Sequence, residues 1–209
     1  MESDRLFDRL LIGRATIRDE VASLAHRVYA GISQEPVQAP VTLVCVLDSA
    51  FMLMADFARE FQRLESRLYT EFVTVDKDWT SHHQPLPMKI WRQNSRRAIV
   101  GTHVVILDCV VSSGDTIRTV ARWAVGPPLC ANTTRTVALV AVGRPQEADY
   151  IGFHLQGQDN VAGYGTDHGS EENRCLDGLY DMGVRCVPLP ETQEEDDEQS
   201  GSATSRDDG

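Results

Sequence analysis

Apolar residues recur along the chain in two alternating patterns, which together predict an α/β protein. Continuous apolar runs of strand length, such as 41–47 and 136–142, are typical of strands buried on both faces of a parallel sheet. Between such runs, apolar positions at helical spacing predict amphipathic helices, one with Thr16 as its N-cap and another over about Phe51 to Leu64. We therefore expect a mainly parallel, doubly wound sheet of about five strands, with a small hood built from both ends of the chain.

Two polar stretches interrupt this alternation. Residues 76–97 are predicted to form a long loop, of the kind that serves as a lid or binding loop. Residues 191–209 contain eight acids, one arginine and no aromatic or branched aliphatic residue, so they are predicted to be a disordered acidic tail. The tail is either a solubilising extension, which we favour, or a partner-binding segment. Residues 1–190 are then expected to form one domain.

Charge and cysteine content narrow the classes of function. The tail carries −7 of the net charge of −11, which leaves −4 for residues 1–190 and argues against a nucleic-acid-binding surface. The five cysteines are odd in number and lack C-x-x-C spacing, which fits a reducing compartment. No apolar run approaches ~20 residues, and the chain opens on charged residues. We expect a cytoplasmic protein that does not contact membranes.

The most informative segment is 104–116, in which an apolar strand leads through an acid into a small-residue loop. The strand contains Asp108 and Cys109, and a helix is predicted to begin near Ile117. Free N–H groups and the helix dipole at such a helix start suit a phosphate group. An ordinary strand, loop and helix of an α/β protein is the alternative. The predicted phosphate-binding residues are Ser112, Ser113, Gly114, Asp115 and Thr116.

This segment resembles the phosphoribosyl diphosphate (PRPP) signature of type I phosphoribosyltransferases. That signature has four apolar residues, two acids, two apolar residues and then Asp-Thr-Gly-x-Thr. The resemblance implies that Asp108 and Cys109 bind the ribose and that the loop binds the 5′-phosphate of PRPP. Cys109 stands in place of the second acid. Ser112 stands where purine-specific members have an Asp thought to take a proton from the base, and a serine is no general base at neutral pH.

Three further segments resemble the hypoxanthine-guanine phosphoribosyltransferase family in the right order, so the resemblance covers roughly residues 10–190. Residues 44–56 resemble its strand and diphosphate loop, with Asp48 in place of Lys and Ser49 in place of Gly. Residues 149–153 resemble the strand before its base-binding segment. Residues 161–169 resemble its Val-Val-Gly-Tyr-Gly-Leu-Asp-Tyr segment, which a later Arg follows.

The resemblance also implies roles for individual residues. The diphosphate would be bound by Asp48, Ser49 and Arg174, and Asp167 would hold a Mg²⁺ ion that carries it. A turn acid and a surface salt-bridge arginine are the structural alternatives for Asp167 and Arg174. The positions that align with base binding are Gly143, Asn160 and Val161.

By this resemblance the chain is expected to be a purine-salvage enzyme. It would transfer phosphoribosyl from PRPP to hypoxanthine or guanine, giving IMP or GMP and diphosphate, with Mg²⁺ as cofactor and as a dimer or tetramer. The alternative is a catalytically impaired protein of the same fold with a regulatory or scaffolding role. It is supported by the residues at the changed positions, which are Asp48, Cys109, Ser112, Gly143 and Asn160. A regulator similar to the bacterial pyrimidine-operon attenuators ranks last, because the basic surface that RNA binding needs is missing.

Overall fold

The computed structural model describes residues 9–76, 89–92, 99–142, 148–156, 160–166 and 173–182. Its elements, in chain order, are β1 (Arg9–Ile12), α1 (Arg14–Ser33), β2 (Val41–Leu47), α2 (Phe51–Gln62), β3 (Leu68–Asp76), β4 (Lys89–Arg92), β5 (His103–Val111), α3 (Asp115–Val125), β6 (Thr133–Val142), β7 (Tyr150–Leu155), β8 (Val161–Ala162) and β9 (Leu179–Asp181). No described helix has the length and apolar character needed to cross a lipid bilayer.

A six-stranded sheet in the order β4-β3-β2-β5-β6-β7 forms the centre of the fold. All of its neighbouring strands pair in parallel except β3 and β4, which are antiparallel. This confirms the predicted α/β fold class with a mainly parallel sheet.

Helices cover both faces of this sheet, which explains the continuous apolar runs of its central strands. Alternate residues of β5 point to opposite faces, so Val105 and Leu107 pack with α1 and α2, whereas Val104 and Ile106 pack with α3. A strand that is buried on both sides has no polar face to show in its sequence. The predicted strand at 41–47 therefore coincides with β2.

The hood is a second, three-stranded sheet in the order β1-β9-β8, and all of its pairings are antiparallel. Strand β1 comes from the beginning of the described chain, whereas β8 and β9 come from its end. The predicted assembly of the hood from both ends of the chain is confirmed. The hood packs on the main core through Ile12, Val161, Tyr164 and Leu179.

The start of the first helix was predicted incorrectly. Helix α1 begins at Arg14 with Gly13 as its N-cap, so Thr16 lies inside the first turn and no side chain caps the helix. The pairing of β1 with β9 leads the chain directly into the helix at Gly13. This tertiary constraint overrides the local capping preference of Thr16.

The predicted loop over residues 76–97 contains a strand that the sequence pattern did not reveal. Strand β4 pairs with the end of β3 at the edge of the sheet, where Trp91 is 60% exposed. Arg92 on β4 donates a 2.5 Å hydrogen bond to the buried carboxylate of Glu71 on β3. Because an edge strand is partly solvated, its polar composition resembles that of a loop. Residues 77–88 and 93–97 of this segment, and the acidic tail at 191–209, lie outside the described residues.

Candidate functional site

The small-residue loop lies at the carboxyl end of central strand β5 and leads directly into α3. Gly114 adopts a left-handed conformation (φ 73°, ψ 3°), which glycine enters without the steric cost that a side chain imposes. Helix α3 begins at Asp115, two residues before the predicted start near Ile117. The first amides of a helix lack partners within it, so this turn presents N–H donors beside the hydroxyl groups of Ser112 and Ser113.

The carboxylate of Asp115 is already engaged at this turn. It accepts a 2.8 Å hydrogen bond from the Ser113 hydroxyl and a 2.7 Å ion-paired hydrogen bond from Arg118. Arg118 thus offsets the negative charge that Asp115 brings to the loop. The backbone N–H of Asp115 in turn donates a long, 3.4 Å hydrogen bond to the Ser113 hydroxyl oxygen.

Asp108 lies beneath the loop and joins it to the segment that follows β2. Its side chain is buried, and its Oδ1 accepts a 3.0 Å hydrogen bond from the hydroxyl of Ser49. Asp108 and residues 110–117 line a small polar cleft of about 60 Å³. The structure therefore brings two predicted segments, the ribose acid and the diphosphate loop, into contact at one end of the sheet.

Across this end of the sheet, Arg174 forms an ion pair with Asp48. The Nη2 atom of Arg174 is 4.0 Å from Oδ2 of Asp48, and the two side chains are 22% and 72% exposed. The peptide bond between Leu47 and Asp48 is cis. Arg174, which is expected to contact the diphosphate, is thus paired with Asp48, the acid that stands where the resembling family usually has lysine.

Cys109 faces away from Asp108, toward the hood. Its thiol is fully buried and donates a 3.6 Å hydrogen bond to the carbonyl oxygen of Tyr164. Burial, and then the negative charge of Asp108, raises the pKa of this thiol far above its usual value. A protonated, buried thiol is a weak nucleophile. Cys109 therefore acts as an attachment point between β5 and the hood.

The hood turn at 163–166 is held in place by Tyr164, a residue for which the sequence pattern predicts no role. The Tyr164 hydroxyl donates a 2.7 Å hydrogen bond to Asp56 on α2. Burial raises the pKa of this hydroxyl far above its ordinary value, and the hydrogen bond to Asp56 adds to the effect. Both residues fall within segments that carry the family resemblance, and that is the signal that could have identified them.

The predicted base-binding and metal-binding positions are only partly described. Val161 is buried in β8, and the carbonyl oxygen of Asn160 accepts a hydrogen bond from the Met182 amide. Gly143 and Asp167 lie outside the described residues. Within the described ranges, no group of three or more His, Cys, Asp or Glu side chains is arranged to hold a metal ion. Magnesium needs only one or two carboxylates when substrate phosphates and water supply the other ligands, so the oxygen donors of this site fit that ion.

A larger cleft of about 390 Å³ lies between α1 and α2, on the other side of Tyr164. Arginines at its rim form ion pairs with neighbouring acids. Arg59 pairs with Asp56 at 2.7 Å, and Arg63 pairs with Glu60 at 2.6 Å. None of the residues of the serine-containing loop lines this cleft. Asp108 and the serine-containing loop therefore line the smaller cleft, and the larger one is a separate cleft lined by arginines and acids.

Comparisons with known proteins agree with this geometry. A family model described as "Phosphoribosyl transferase domain" matches residues 13–168. No curated protein matches the chain. Among solved structures, a glutamic acid mutant from a study of an invariant aspartic acid in HPRTs is 21% identical with a TM-score of 0.72, and the alignment covers 85% of this chain and 96% of that one.

Structures of hypoxanthine phosphoribosyltransferase from Trypanosoma cruzi are similar as well. One is 21% identical with a TM-score of 0.71, covering 86% of this chain and 93% of that one. A lysine-to-arginine mutant complexed with the product IMP is 25% identical with a TM-score of 0.70, covering 86% and 92% of the two chains. The chain therefore shares its fold with these enzymes over nearly their whole length.

Proposed function

The chain belongs to the phosphoribosyl transferase domain family, and from that premise we propose that it transfers a phosphoribosyl group from PRPP to a 6-oxopurine base, with hypoxanthine or guanine as the acceptor. The products would be IMP or GMP and diphosphate. The fold shared with hypoxanthine phosphoribosyltransferases over 85% of the chain supports this proposal.

The strongest support for this proposal is the cleft that Asp108 shares with the small-residue loop. Asp108 and the loop at 112–116 line the same cleft at the carboxyl end of β5, where doubly wound sheets bind their ligands. The hydroxyl groups of ribose 5-phosphate donate hydrogen bonds that a buried carboxylate accepts. Its phosphate accepts hydrogen bonds from amide and hydroxyl donors. The presence of both kinds of group in one cleft supports a ligand of that class.

In the proposed reaction, the bond from C1′ to the diphosphate oxygen breaks and a bond from C1′ to a base nitrogen forms. The diphosphate leaves with the bonding electron pair, and the base nitrogen releases its proton. Because Ser112 is not a general base at neutral pH, water or the departing diphosphate accepts that proton. The protein's contribution is to position the ribose and stabilise charge, through Asp108, the serine-containing loop and Arg174.

Magnesium fits this site as the cofactor that carries the diphosphate. The residues that would hold it are Asp167, by resemblance, together with oxygens of the substrate. The bound ion would offset the negative charge of the leaving diphosphate.

Location and assembly are part of the proposal. The described cysteines, which are Cys45, Cys109, Cys130 and Cys175, are all free thiols, and this supports a reducing compartment such as the cytoplasm. We also propose a homodimer or homotetramer, as the resemblance implies. Light scattering of the purified chain tests the assembly.

The direct test is to incubate the purified full chain with PRPP, Mg²⁺ and one base at a time. Hypoxanthine, guanine, xanthine, adenine and uracil serve as acceptors, and nucleotide formation is followed by chromatography. We expect IMP or GMP with hypoxanthine or guanine. Product from adenine or uracil alone would contradict the proposed acceptor class, and Asp108→Asn serves as the control for contaminating activity.

A second function is favoured by the pairing of Arg174 with Asp48. If the chain binds ribose 5-phosphate or IMP and forms no product with any base, it is a nucleotide-binding protein of this fold with a regulatory or scaffolding role. Binding and turnover measured on the same preparation separate these two functions.

A further inference from the structure

The end of the site that would receive a diphosphate differs in charge from the end that would receive a monophosphate. Asp48 presents a largely exposed carboxylate just before α2, and its described ion-pair partner is Arg174. At the other end, the Ser112 hydroxyl and the start of α3 provide neutral donors, while the Ser113 hydroxyl and Arg118 both donate to the Asp115 carboxylate and offset its charge. A diphosphate at C1′ would therefore face the carboxylate of Asp48, and the cation beside it, Arg174, already forms an ion pair with that carboxylate.

Backbone contacts hold Arg174 close to the segment that carries Asp48. The Arg174 carbonyl oxygen accepts a 2.8 Å hydrogen bond from the Gly165 amide. Gly165 has a φ of +95°, and a Cβ atom at this residue would lie 2.4 Å from the carbonyl oxygen of Ser49. Glycine at this position lets the hood pack directly on the segment that follows Asp48. These contacts keep the backbone of Arg174 near the segment after Asp48, so that the two side chains are within reach of the observed ion pair.

Electrostatics favours the ligand with less charge at C1′. Diphosphate in PRPP carries several negative charges, which one Mg²⁺ ion offsets only in part, and like charges that face each other at a binding site weaken binding. The attraction that Arg174 offers a diphosphate is reduced by its existing interaction with Asp48. A ligand that has a hydroxyl group or a neutral base at C1′ carries no negative charge there, so Asp48 does not repel it.

We propose that the Asp48–Arg174 pair makes this site select ribose 5-phosphates that lack a diphosphate, so that ribose 5-phosphate and nucleoside 5′-monophosphates bind more tightly than PRPP. This inference rests on the proposed function, because it takes the loop at 112–116 as the 5′-phosphate site. The transfer reaction is then limited by weak binding of its donor and strongly inhibited by its nucleotide product.

The test is isothermal titration of the full chain with ribose 5-phosphate, IMP and PRPP at one fixed Mg²⁺ concentration. The variant Asp48→Asn removes the carboxylate and keeps the shape of the side chain, and Asp48→Lys reverses its charge. Asp19→Asn is the matched control, because it removes one exposed acid from α1, away from the site. Circular dichroism and a thermal melt of each variant report folding.

The wild-type chain is expected to bind ribose 5-phosphate and IMP more tightly than PRPP. Asp48→Asn should raise the affinity for PRPP about tenfold, and Asp48→Lys should raise it further, with the ribose 5-phosphate affinity within about twofold of the wild type. Asp19→Asn should change neither affinity.

Two results overturn the inference, and they are distinguishable. If ribose 5-phosphate binds no more tightly than PRPP, or if Asp48→Asn leaves the ratio of the two affinities unchanged, the pair does not select the ligand, and the proposed function stands. If the folded wild-type chain binds none of the three ligands, the loop is not a phosphate site and the proposed function fails with it.

Discussion

The Tyr164 hydroxyl donates a 2.7 Å hydrogen bond to the Asp56 carboxylate, and this bond joins the hood to helix α2. The carbonyl oxygen of the same tyrosine accepts the hydrogen bond from Cys109 on β5. Tyr164 therefore connects three parts of the fold. Gly165, which follows it, binds the backbone of Arg174, so these contacts also orient the hood side of the candidate site.

We expect Tyr164→Phe to lower the free energy of unfolding by about 1 kcal/mol, because a partly buried hydrogen bond is lost while the ring still packs. Urea denaturation measures the change. Tyr69→Phe is the matched control, since no hydrogen bond of the Tyr69 hydroxyl is found within the described chain. An equal loss in both variants would mean that the contact with Asp56 contributes nothing of its own.

Replacement of Asp108 should damage ligand binding more than it damages the fold. Asp108→Asn retains an acceptor for the Ser49 hydroxyl and loses the charge that strengthens hydrogen bonds from ribose hydroxyls. We expect ribose 5-phosphate affinity and nucleotide formation to fall by about 10- to 100-fold, as for loss of a hydrogen bond to a charged group. Ser49→Ala should have a smaller effect. Unchanged binding in Asp108→Asn would remove Asp108 from the site.

Two glycines with the same backbone conformation allow strain to be separated from function. Gly114 and Gly101 have φ values of 73° and 70°, and Gly101 lies before β5, at the opposite end from the site, where an added Cβ atom would meet open space. Alanine at either position should cost about 1–2 kcal/mol of stability. Only Gly114→Ala should weaken ribose 5-phosphate binding in titration calorimetry. Equal binding by the two variants would show that the loop conformation is irrelevant to the ligand.

The cysteines are expected to differ sharply in reactivity. Cys130 and Cys175 are exposed, whereas Cys45 and Cys109 are buried. Burial raises the pKa of the Cys45 thiol to about 12, and the charges of Asp108 and Asp48 add to it. Brief iodoacetamide labelling at neutral pH, read by peptide mass spectrometry, should modify the exposed pair and spare the buried pair. Rapid labelling of Cys45 in the folded chain would contradict the structure.

The raised pKa of Cys45 also predicts a loss of stability at high pH. The folded chain keeps a proton that the unfolded chain releases above its pKa of 9.0, so this contribution to stability is complete below pH 9 and is lost as the pH rises toward 12. Relative to wild type, Cys45→Ala should reduce the slope of unfolding free energy against pH in this window, by up to about 1.4 kcal/mol per pH unit. Urea denaturation at several pH values measures the slope. Cys130→Ala, at an exposed position, should follow the wild type.

The elements that could be predicted are those whose signal is local. Strand β2 coincides with the predicted run because it is buried on both faces, and the loop after β5 shows its small residues directly in the sequence. Strand β4 escaped prediction because its stability comes from pairing with β3 and from the ion pair of Arg92 with Glu71. The prediction of Thr16 as the N-cap is wrong for a similar reason. The pairing of β1 with β9, which is not a local signal, decides where α1 begins.

By itself, the sequence determined the α/β class, the alternation of helices with the buried parallel strands, and a small-residue loop between a buried strand and a helix. These features follow from hydrophobic periodicity and from the conformational freedom of glycine, which act over a few residues. Only the tertiary structure decided that Ser49 contacts Asp108, that Arg174 faces Asp48, and that Cys109 points to the hood. Such pairs are distant along the chain and become neighbours only through the order of strands in the sheet and the packing of the hood, which no local pattern encodes.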